Sequence, residues 1–329
     1  MDSWDELFHG QNLARYDVQM SPQGQLLTVT SLTKVFGKVQ AVSDLSFKVQ
    51  PGRVTGFLGP NGSGKTTTLR CLLGLVQPTS GSARVGEHDY RELSHPATVV
   101  GAALEASGFH PGRTARGHLQ VITDAAALPA ARADEVLALV GLTEAAGRKV
   151  GGFSLGMRQR LALAAALVGD PGVLILDEPA NGLDPEGIAW LRSFLRARAQ
   201  EGRTVLVSSH VLSEVQQTVD DVVIISKGRL VQTGTLDELT GTGISKVRVR
   251  TPKAEVLRLA LTAVTEHDIE SSIEIVSENE ILVIGIEAAK IGHIALREHV
   301  ELHELTPVGN DLEALFLDLT AGGNPGGAA

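Results

Sequence analysis

The sequence contains little cysteine, few aromatic residues and no long apolar run. Cys71 is the one cysteine among 329 residues, which excludes an internal disulfide and a metal site built from several cysteines. Aromatic residues make up 4% of the chain, too few to favour a platform on which nucleic-acid bases stack. No stretch approaches the roughly 18 consecutive apolar residues of a membrane-spanning helix, and we expect no secretory leader in the first thirty residues. These features predict a soluble protein of a reducing compartment.

Acidic residues outnumber basic ones, because 38 Asp and Glu against 29 Lys and Arg give a formal charge of −9. Such a chain has little bulk attraction for a polyanion, so we expect no nucleic-acid partner. The hydrophobic fraction of 43% and the charged fraction of 20% are typical of globular proteins. At roughly 150 residues per domain, the length predicts two domains, or one large and one small.

Apolar runs and turn residues divide the chain into an α/β region and a smaller α+β domain. β-rich runs at 26–30, 45–49 and 54–58 lead into a region where Val-, Ile- and Leu-rich strands alternate with helices. The Ala-rich stretch 94–167 is mostly helical in its period, which indicates a helical insertion. A Thr/Gly stretch at 240–243 marks a boundary. We therefore predict an N-terminal extension, a large α/β domain, an accessory α+β domain and a disordered tail, at residues 1–25, 26–242, 243–320 and 321–329.

The accessory domain is expected to follow the order β-α-β-β-α-β, which suggests a small ferredoxin-like fold. A final amphipathic helix is expected at about Asp311–Leu319. The predicted strands and helices before it are Lys246–Arg250, Lys253–Val264, Ile273–Val276, Ile281–Gly285, Glu287–His299 and Val300–Leu305.

Residues 59–66 read Gly-Pro-Asn-Gly-Ser-Gly-Lys-Thr and fit the pattern G-x-x-x-x-G-K-[ST] in full. The segment follows the apolar run 54–58 and precedes a helix-forming segment. Its glycines let backbone N–H groups turn toward phosphate oxygens, and the helix N-terminus adds positive potential. We predict that Lys65 reaches the β and γ phosphates and that Thr66 holds Mg²⁺. The predicted nucleotide-binding residues of this loop are Gly59, Pro60, Asn61, Gly62, Ser63, Gly64, Lys65, Thr66 and Thr67.

A second element of phosphate chemistry is the apolar run Val173–Leu176, which ends in two carboxylates. Asp177 would hold Mg²⁺, and Glu178 could take a proton from the attacking water. A core strand capped by acids would look the same in isolation. The phosphate loop earlier in the chain favours the catalytic interpretation.

Between these elements, residues 154–160 read Ser-Leu-Gly-Met-Arg-Gln-Arg. This segment resembles the signature of ATP-binding cassette (ABC) ATPases, usually LSGGQ, in the form found in exporters with a separate permease chain. A serine N-cap on an arginine-rich helix is the alternative interpretation. The place of the segment before Asp177 favours the signature. The resemblance covers about residues 26–239.

The resemblance implies a P-loop NTPase fold with a RecA-like core, an antiparallel β subdomain and a helical subdomain. It also implies that two cassettes close head to tail over two ATP molecules, so that Ser154 and Gly156 face the phosphate bound by the other chain. Asp184 resembles the D-loop aspartate at that interface, and His210 resembles the switch histidine that contacts the γ-phosphate. Phe36 resembles the aromatic residue that stacks on adenine, with a core Phe at a strand edge as the alternative.

The chain departs from the family at Glu105, where ABC ATPases usually have a Gln that touches both Mg²⁺ and the permease. A carboxylate can still ligate Mg²⁺, a cation that prefers oxygen, but it cannot donate an amide N–H. The stretch Ala106–His118 that follows would face the permease.

The sequence therefore predicts the ATP-binding and ATP-hydrolysing subunit of an ABC exporter, with Glu178, His210 and Lys65 as catalytic residues. The expected cofactors are ATP and Mg²⁺, and the expected metal ligands are Thr66, Asp177 and Glu105. The resemblance implies two partners, a membrane permease and a second copy or related cassette, and a place at the cytoplasmic face of the membrane. A drug, antibiotic or lipid-like cargo is expected. An importer ATPase and a soluble ABC ATPase without transport remain the alternatives.

Overall fold

The computed structural model describes most of the chain, namely residues 23–104, 108–211, 215–240, 246–265 and 272–307. Most of the predicted N-terminal extension, the predicted helix at 311–319, the tail and Glu105 lie outside these residues. The chain divides into two compact units. One unit runs to His210 and includes Lys227–Arg229, and the other contains Val211–Ser226 and the residues from Leu230 onward. The domain boundaries at 25/26 and 242/243 stay predictions.

After an initial β-hairpin, the elements of the first unit alternate between strands and helices, except for three consecutive helices between β5 and β6. In chain order they are β1 (Leu27–Phe36), β2 (Val39–Val49), β3 (Val54–Leu58), α1 (Lys65–Leu72), β4 (Ser80–Val85), α2 (Pro96–Val99), β5 (Val100–Ala103), α3 (Ala115–Ala125), α4 (Arg132–Leu139), α5 (Leu155–Leu167), β6 (Val173–Asp177), α6 (Pro185–Gln200) and β7 (Thr204–Ser209).

A three-stranded antiparallel sheet with the order β2-β1-β4 forms the first layer of this unit. Alternate residues such as Leu27 and Val29 are buried, as expected for strands with one face on the core. The runs predicted at 26–30 and 45–49 lie within β1 and β2, which continue to the hairpin turn at Gly37 because the two strands pair along their whole length.

The centre of the first unit contains four parallel strands in the order β5-β6-β7-β3. Every residue of β3, β6 and β7 is buried, which explains why these strands are apolar on both faces. β5 lies inside the stretch predicted as mostly helical. Its small residues carry no strand pattern, and pairing with β6 makes it a strand. Helix α5 packs so closely on β5 that a Cβ atom on Gly101 would lie 2.0 Å from the Ala166 carbonyl oxygen.

The second unit has strands β8 (Asp221–Ser226) and β9 (Arg229–Thr235) and a small α+β domain. β8 and β9 are hydrogen-bonded neighbours. The elements that follow are α7 (Leu236–Thr240), β10 (Lys246–Arg250), α8 (Ala254–Thr265), β11 (Ser272–Ser277), β12 (Glu280–Ile284), α9 (Ala288–Arg297) and β13 (Glu304–Pro307).

The last four strands form an antiparallel sheet with the order β11-β12-β10-β13. Each helix connects two strands that have a third strand between them, which is a split β-α-β arrangement. The core between the sheet and the helices α8 and α9 includes Val247, Leu257, Ile281 and Ile291, all fully buried.

The predicted start of the last strand at Val300 is wrong, because β13 begins at Glu304. His299 has a φ of 52°, and the Val300 N–H bonds back to the Ala295 carbonyl, so the chain first closes the end of α9. Pairing with β10 starts only where Glu304 lies opposite Arg250.

In the first unit, the buried Arg203 at the start of β7 holds the turn before β6. Its guanidinium donates hydrogen bonds to Asp170 at 2.7 Å, to the Pro171 carbonyl at 2.9 Å and to Glu201 at 3.0 Å. Burial alone would raise the pKa of Asp170, but the hydrogen bond and the positive charge of Arg203, with two further arginines nearby, lower it.

We expect Asp170→Asn to lower the free energy of unfolding at pH 7 by about 1 kcal/mol, because Asp170 is half-exposed and Arg203 keeps its other partners. A lowered folded-state pKa stabilises the protein above the unfolded-state pKa of about 3.9, and this contribution disappears as the pH falls through the folded value. Urea unfolding at several pH values should therefore show the difference between variant and wild type shrinking below about pH 4. A difference that stays constant into that range would contradict the account. Asp134→Asn, at an exposed pair with Arg116, is the control.

Candidate functional site

The loop between β3 and α1 has two glycines in backbone conformations with positive φ, which favour glycine. Gly62 and Gly64 have φ values of 78° and 103°, and a Cβ atom on Gly64 would lie 2.6 Å from the Ala41 carbonyl oxygen. The loop is fixed from outside by Gly228, whose N–H bonds to the Ser63 carbonyl at 2.9 Å. The result is a curved backbone that leads directly into the N-terminus of α1, the arrangement that binds phosphate groups.

The Lys65 side chain lies across this loop. Its ammonium donates to the Gly59 carbonyl at 2.6 Å and lies 3.5 Å from Glu178 Oε1. The side chain is 6% exposed, so the positive charge is concentrated within the curve of the loop.

Asp177 ends β6 beside the loop and is held by two hydroxyl groups. Thr66 Oγ1 donates to Asp177 Oδ2 at 2.6 Å, and Ser208 Oγ donates to Asp177 Oδ1. The Ser208 contact follows from strand register, because Asp177 of β6 lies opposite Ser208 of β7. The sequence alone assigns no role in the site to Ser208. The signal was its place at the end of an apolar strand, two residues before His210.

Glu178 follows the strand with an unusual backbone conformation, a φ of 51°. Its N–H donates to Ser208 Oγ at 3.0 Å, and its side-chain Oε2 lies 2.8 Å from His210 Nδ1. Lys65 and His210 therefore contact the two oxygens of one carboxylate, and the structure brings together the residues predicted as catalytic. The arrangement can hold a carboxylate that accepts a proton close to bound phosphate.

Three other predicted site residues lie at the ends of elements. Ser154 caps α5 by accepting the Met157 N–H at 3.2 Å, and Asp184 caps α6 by accepting the Gly187 N–H at 2.9 Å. Phe36 is 48% exposed at the end of β1, with the Lys34 ammonium 4.8 Å from its ring centre. This exposure excludes the core interpretation of Phe36. The contacts expected for these residues with adenine or a second chain stay predictions.

A groove of about 630 Å³ lies beside the carboxylates. Its lining residues lie just after β5, in the segments before α3 and α5, in the first turns of α5, and at the end of β6 and just after it. They are Leu104, Phe109, Pro111, Val150, Gly151, Leu155, Arg158, Gln159, Asp177, Glu178 and Asn181. Phe109 packs edge-on against His118 with a ring separation of 4.8 Å. Burial, with the nearby charge of Arg113, lowers the pKa of His118, which favours its neutral form. Part of the predicted permease-facing stretch thus borders a cavity that reaches the carboxylates of Asp177 and Glu178.

Two family models match parts of the chain. The family model described as ABC transporter matches residues 42–181, and a domain of unknown function, DUF8746, matches residues 245–313. The bacitracin transport ATP-binding protein BcrA of Bacillus licheniformis is 43% identical over 217 residues, which cover 65% of this chain and 71% of the relative. The uncharacterized ABC transporter ATP-binding protein YhcH of Bacillus subtilis is 34% identical over 298 residues, which cover 90% and 96%. The Nod factor export ATP-binding protein I of Burkholderia lata is 36% identical over 244 residues, covering 72% and 80%.

A solved ATP-binding subunit of an ABC transporter has the same fold, with a TM-score of 0.60 and 27% identity over 65% of this chain and 91% of that one. This likeness confirms the predicted cassette fold. Among the described residues, none of the helices has the length and apolar character needed to cross a membrane. The chain belongs to the ATP-binding proteins of the ABC transporter family, which bind and hydrolyse ATP.

Proposed function

We propose that this chain is the ATP-hydrolysing subunit of an ABC exporter, acting through a separate membrane permease. The observation that carries the proposal is the Glu178 carboxylate, held by His210 and Lys65 beside a complete phosphate loop. Relatives named for bacitracin transport, lantibiotic transport and Nod factor export support export over import. The relatives named for antibiotics also support an antibiotic as cargo, carried by the permease rather than by this chain.

The site residues divide the work of hydrolysis. The backbone N–H groups of the loop and Lys65 bind the phosphates and offset the charge that develops on them. Glu178 accepts the proton of the attacking water, and His210 holds the carboxylate in place through its Nδ1 contact. The segment 208–210 therefore contacts both Asp177, the proposed metal ligand, and Glu178, the proposed base.

The oxygen groups at Thr66 and Asp177 fit Mg²⁺. They are a hydroxyl oxygen and a carboxylate oxygen 2.6 Å apart, and both are hard oxygen donors. Two protein ligands are enough for Mg²⁺, because phosphates and water fill its remaining coordination positions. When bound, the ion would neutralise charge on the β and γ phosphates. Glu105 stays a third proposed ligand on the strength of the family resemblance alone.

A second copy or related cassette would complete each site from the opposite side. Ser154 lies at the N-terminus of the 13-residue helix α5, where the backbone N–H groups of the first turn and the helix dipole favour an anion. We propose that this end faces the ATP bound by the other chain, with Asp184 at the same interface.

We expect Glu178→Gln to bind ATP normally, to accumulate an ATP-bound dimer and to lose at least about 100-fold in kcat, because an amide cannot accept the proton. Nucleotide binding, light scattering and phosphate release measured on one preparation test all three points. Lys65→Ala is the matched control, and it should lose ATP binding itself. Wild-type turnover in Glu178→Gln would contradict the assignment of the base.

The groove at the catalytic carboxylates is the proposed docking site of the permease. It has an apolar rim that includes Phe109 and Pro111, and it extends to Glu178, so an inserted segment could sense the state of the site.

We expect Phe109→Asp to release the chain from membranes of the cells that naturally make it. A charge at the apolar rim would oppose insertion of the permease. Sedimentation of membranes followed by detection of the chain measures the bound fraction, which should fall several-fold. Val121→Asp, at an exposed apolar residue of α3 that does not line the groove, is the control and should stay bound. Nucleotide binding by each purified variant shows that it is folded. A Phe109→Asp chain that remains on the membranes like wild type would contradict this docking site.

A further inference from the structure

The side chain of Gln159 makes a hydrogen bond to the main chain of the catalytic base. Gln159 Nε2 donates to the Glu178 carbonyl oxygen at 2.8 Å, in a partly buried position. Gln159 lies on α5, a little more than one turn after the Ser154 cap, whereas Glu178 follows β6. The bond therefore joins the helix that begins at the signature serine to the segment that carries the base.

The backbone conformation at Glu178 depends on hydrogen bonds from neighbouring elements. Its φ of 51° lies in the left-handed region, which a residue with a side chain occupies only when its surroundings hold it there. The next residue is Pro179, which has no N–H, so the Glu178 carbonyl is the single hydrogen-bonding group of that peptide unit. The local turn supplies one donor to it, the Asn181 N–H at 3.2 Å, and Gln159 supplies the other.

The two ends of Glu178 are thus held by different elements. Ser208 of β7 accepts the Glu178 N–H through its hydroxyl and its carbonyl, at 3.0 and 3.2 Å. Gln159 of α5 binds the carbonyl end. Between these two attachments the side chain extends to His210 and Lys65.

Close packing keeps α5 against this segment. A Cβ atom on Gly182 would lie 2.3 Å from the Leu155 side chain, and one on Gly156 would lie 3.0 Å from the Gly182 carbonyl oxygen. The first turns of α5 and the chain after Glu178 therefore leave little room to slide past each other, and the Gln159 bond fixes their register.

We propose that Gln159 is a positioning residue for Glu178, holding the peptide plane so that the carboxylate stays where it can take the proton of the attacking water. The inference rests on the proposed role of Glu178 as the base. In this role Gln159 acts through the orientation of Glu178 and contacts neither nucleotide nor water. Because it also lines the groove, its variants are assayed on the purified chain without the permease.

Gln159→Met tests the proposal because methionine keeps an unbranched side chain of similar length and removes the donor. We expect kcat to fall about 10-fold with KM and the melting temperature nearly unchanged, since a small displacement of a catalytic group is costly while binding does not use it. Gln159→Lys, which keeps a donor, should retain more activity than Gln159→Met. Gln120→Met, the same change at an exposed site on α3, should have no effect.

The decisive comparison repeats Gln159→Met in a Glu178→Ala background, where no carboxylate remains to be positioned. We expect the effect on the residual turnover to disappear there, because the two residues act as one unit. An equal loss in both backgrounds, or full activity of Gln159→Met, would overturn the positioning role. If the wild-type chain does not hydrolyse ATP, the proposed function itself is wrong. If the wild-type chain hydrolyses ATP and only the Gln159→Met results differ from expectation, the positioning role alone is wrong.

Discussion

The position of β7 between β3 and β6 is the constraint on which the site depends. Parallel strands end at the same edge of a sheet, so the loop after β3, the carboxylates after β6 and the histidine after β7 meet there. The register is specific, because Asp177 lies opposite Ser208 and Leu58 lies opposite Ser209. A one-residue shift of β7 would remove Ser208 from both Asp177 and the Glu178 N–H. β3, β6 and β7 are completely buried, so close packing of side chains on both faces of these strands stabilises the register.

Several residues of the site have a local structural role in addition to their proposed chemistry. Ser154 and Asp184 cap helices, and Lys65 bonds to carbonyls of its own loop. The contacts that hold these residues also satisfy the hydrogen-bonding groups of helix ends or loop carbonyls. Fixing the side chains in position therefore costs little free energy. The variants of these residues would therefore change both stability and activity, whereas a substitution at Glu178 separates the two more cleanly.

Much of this arrangement could be predicted from the sequence, because phosphate chemistry needs particular residues at fixed spacing. Residue type and order alone are enough to recognise the phosphate loop at Gly59–Thr66 and the acids after Val173–Leu176. Ser208 and Gln159 could not be assigned in the same way, because their roles come from strand register and from helix packing across distant parts of the chain. The late start of β13 has a similar origin, since the closing turn at His299 is a three-dimensional feature with no strong local signal. The exposure of Phe36 likewise depends on where β1 ends relative to its neighbours.

We propose that two chains build each hydrolytic site. The most direct measurement is the specific ATPase activity of the purified chain across a wide range of protein concentration, with light scattering on the same samples. We expect activity per chain to rise with concentration and to level off as ATP-dependent dimers form. Constant activity per chain in samples that scatter as monomers would contradict it.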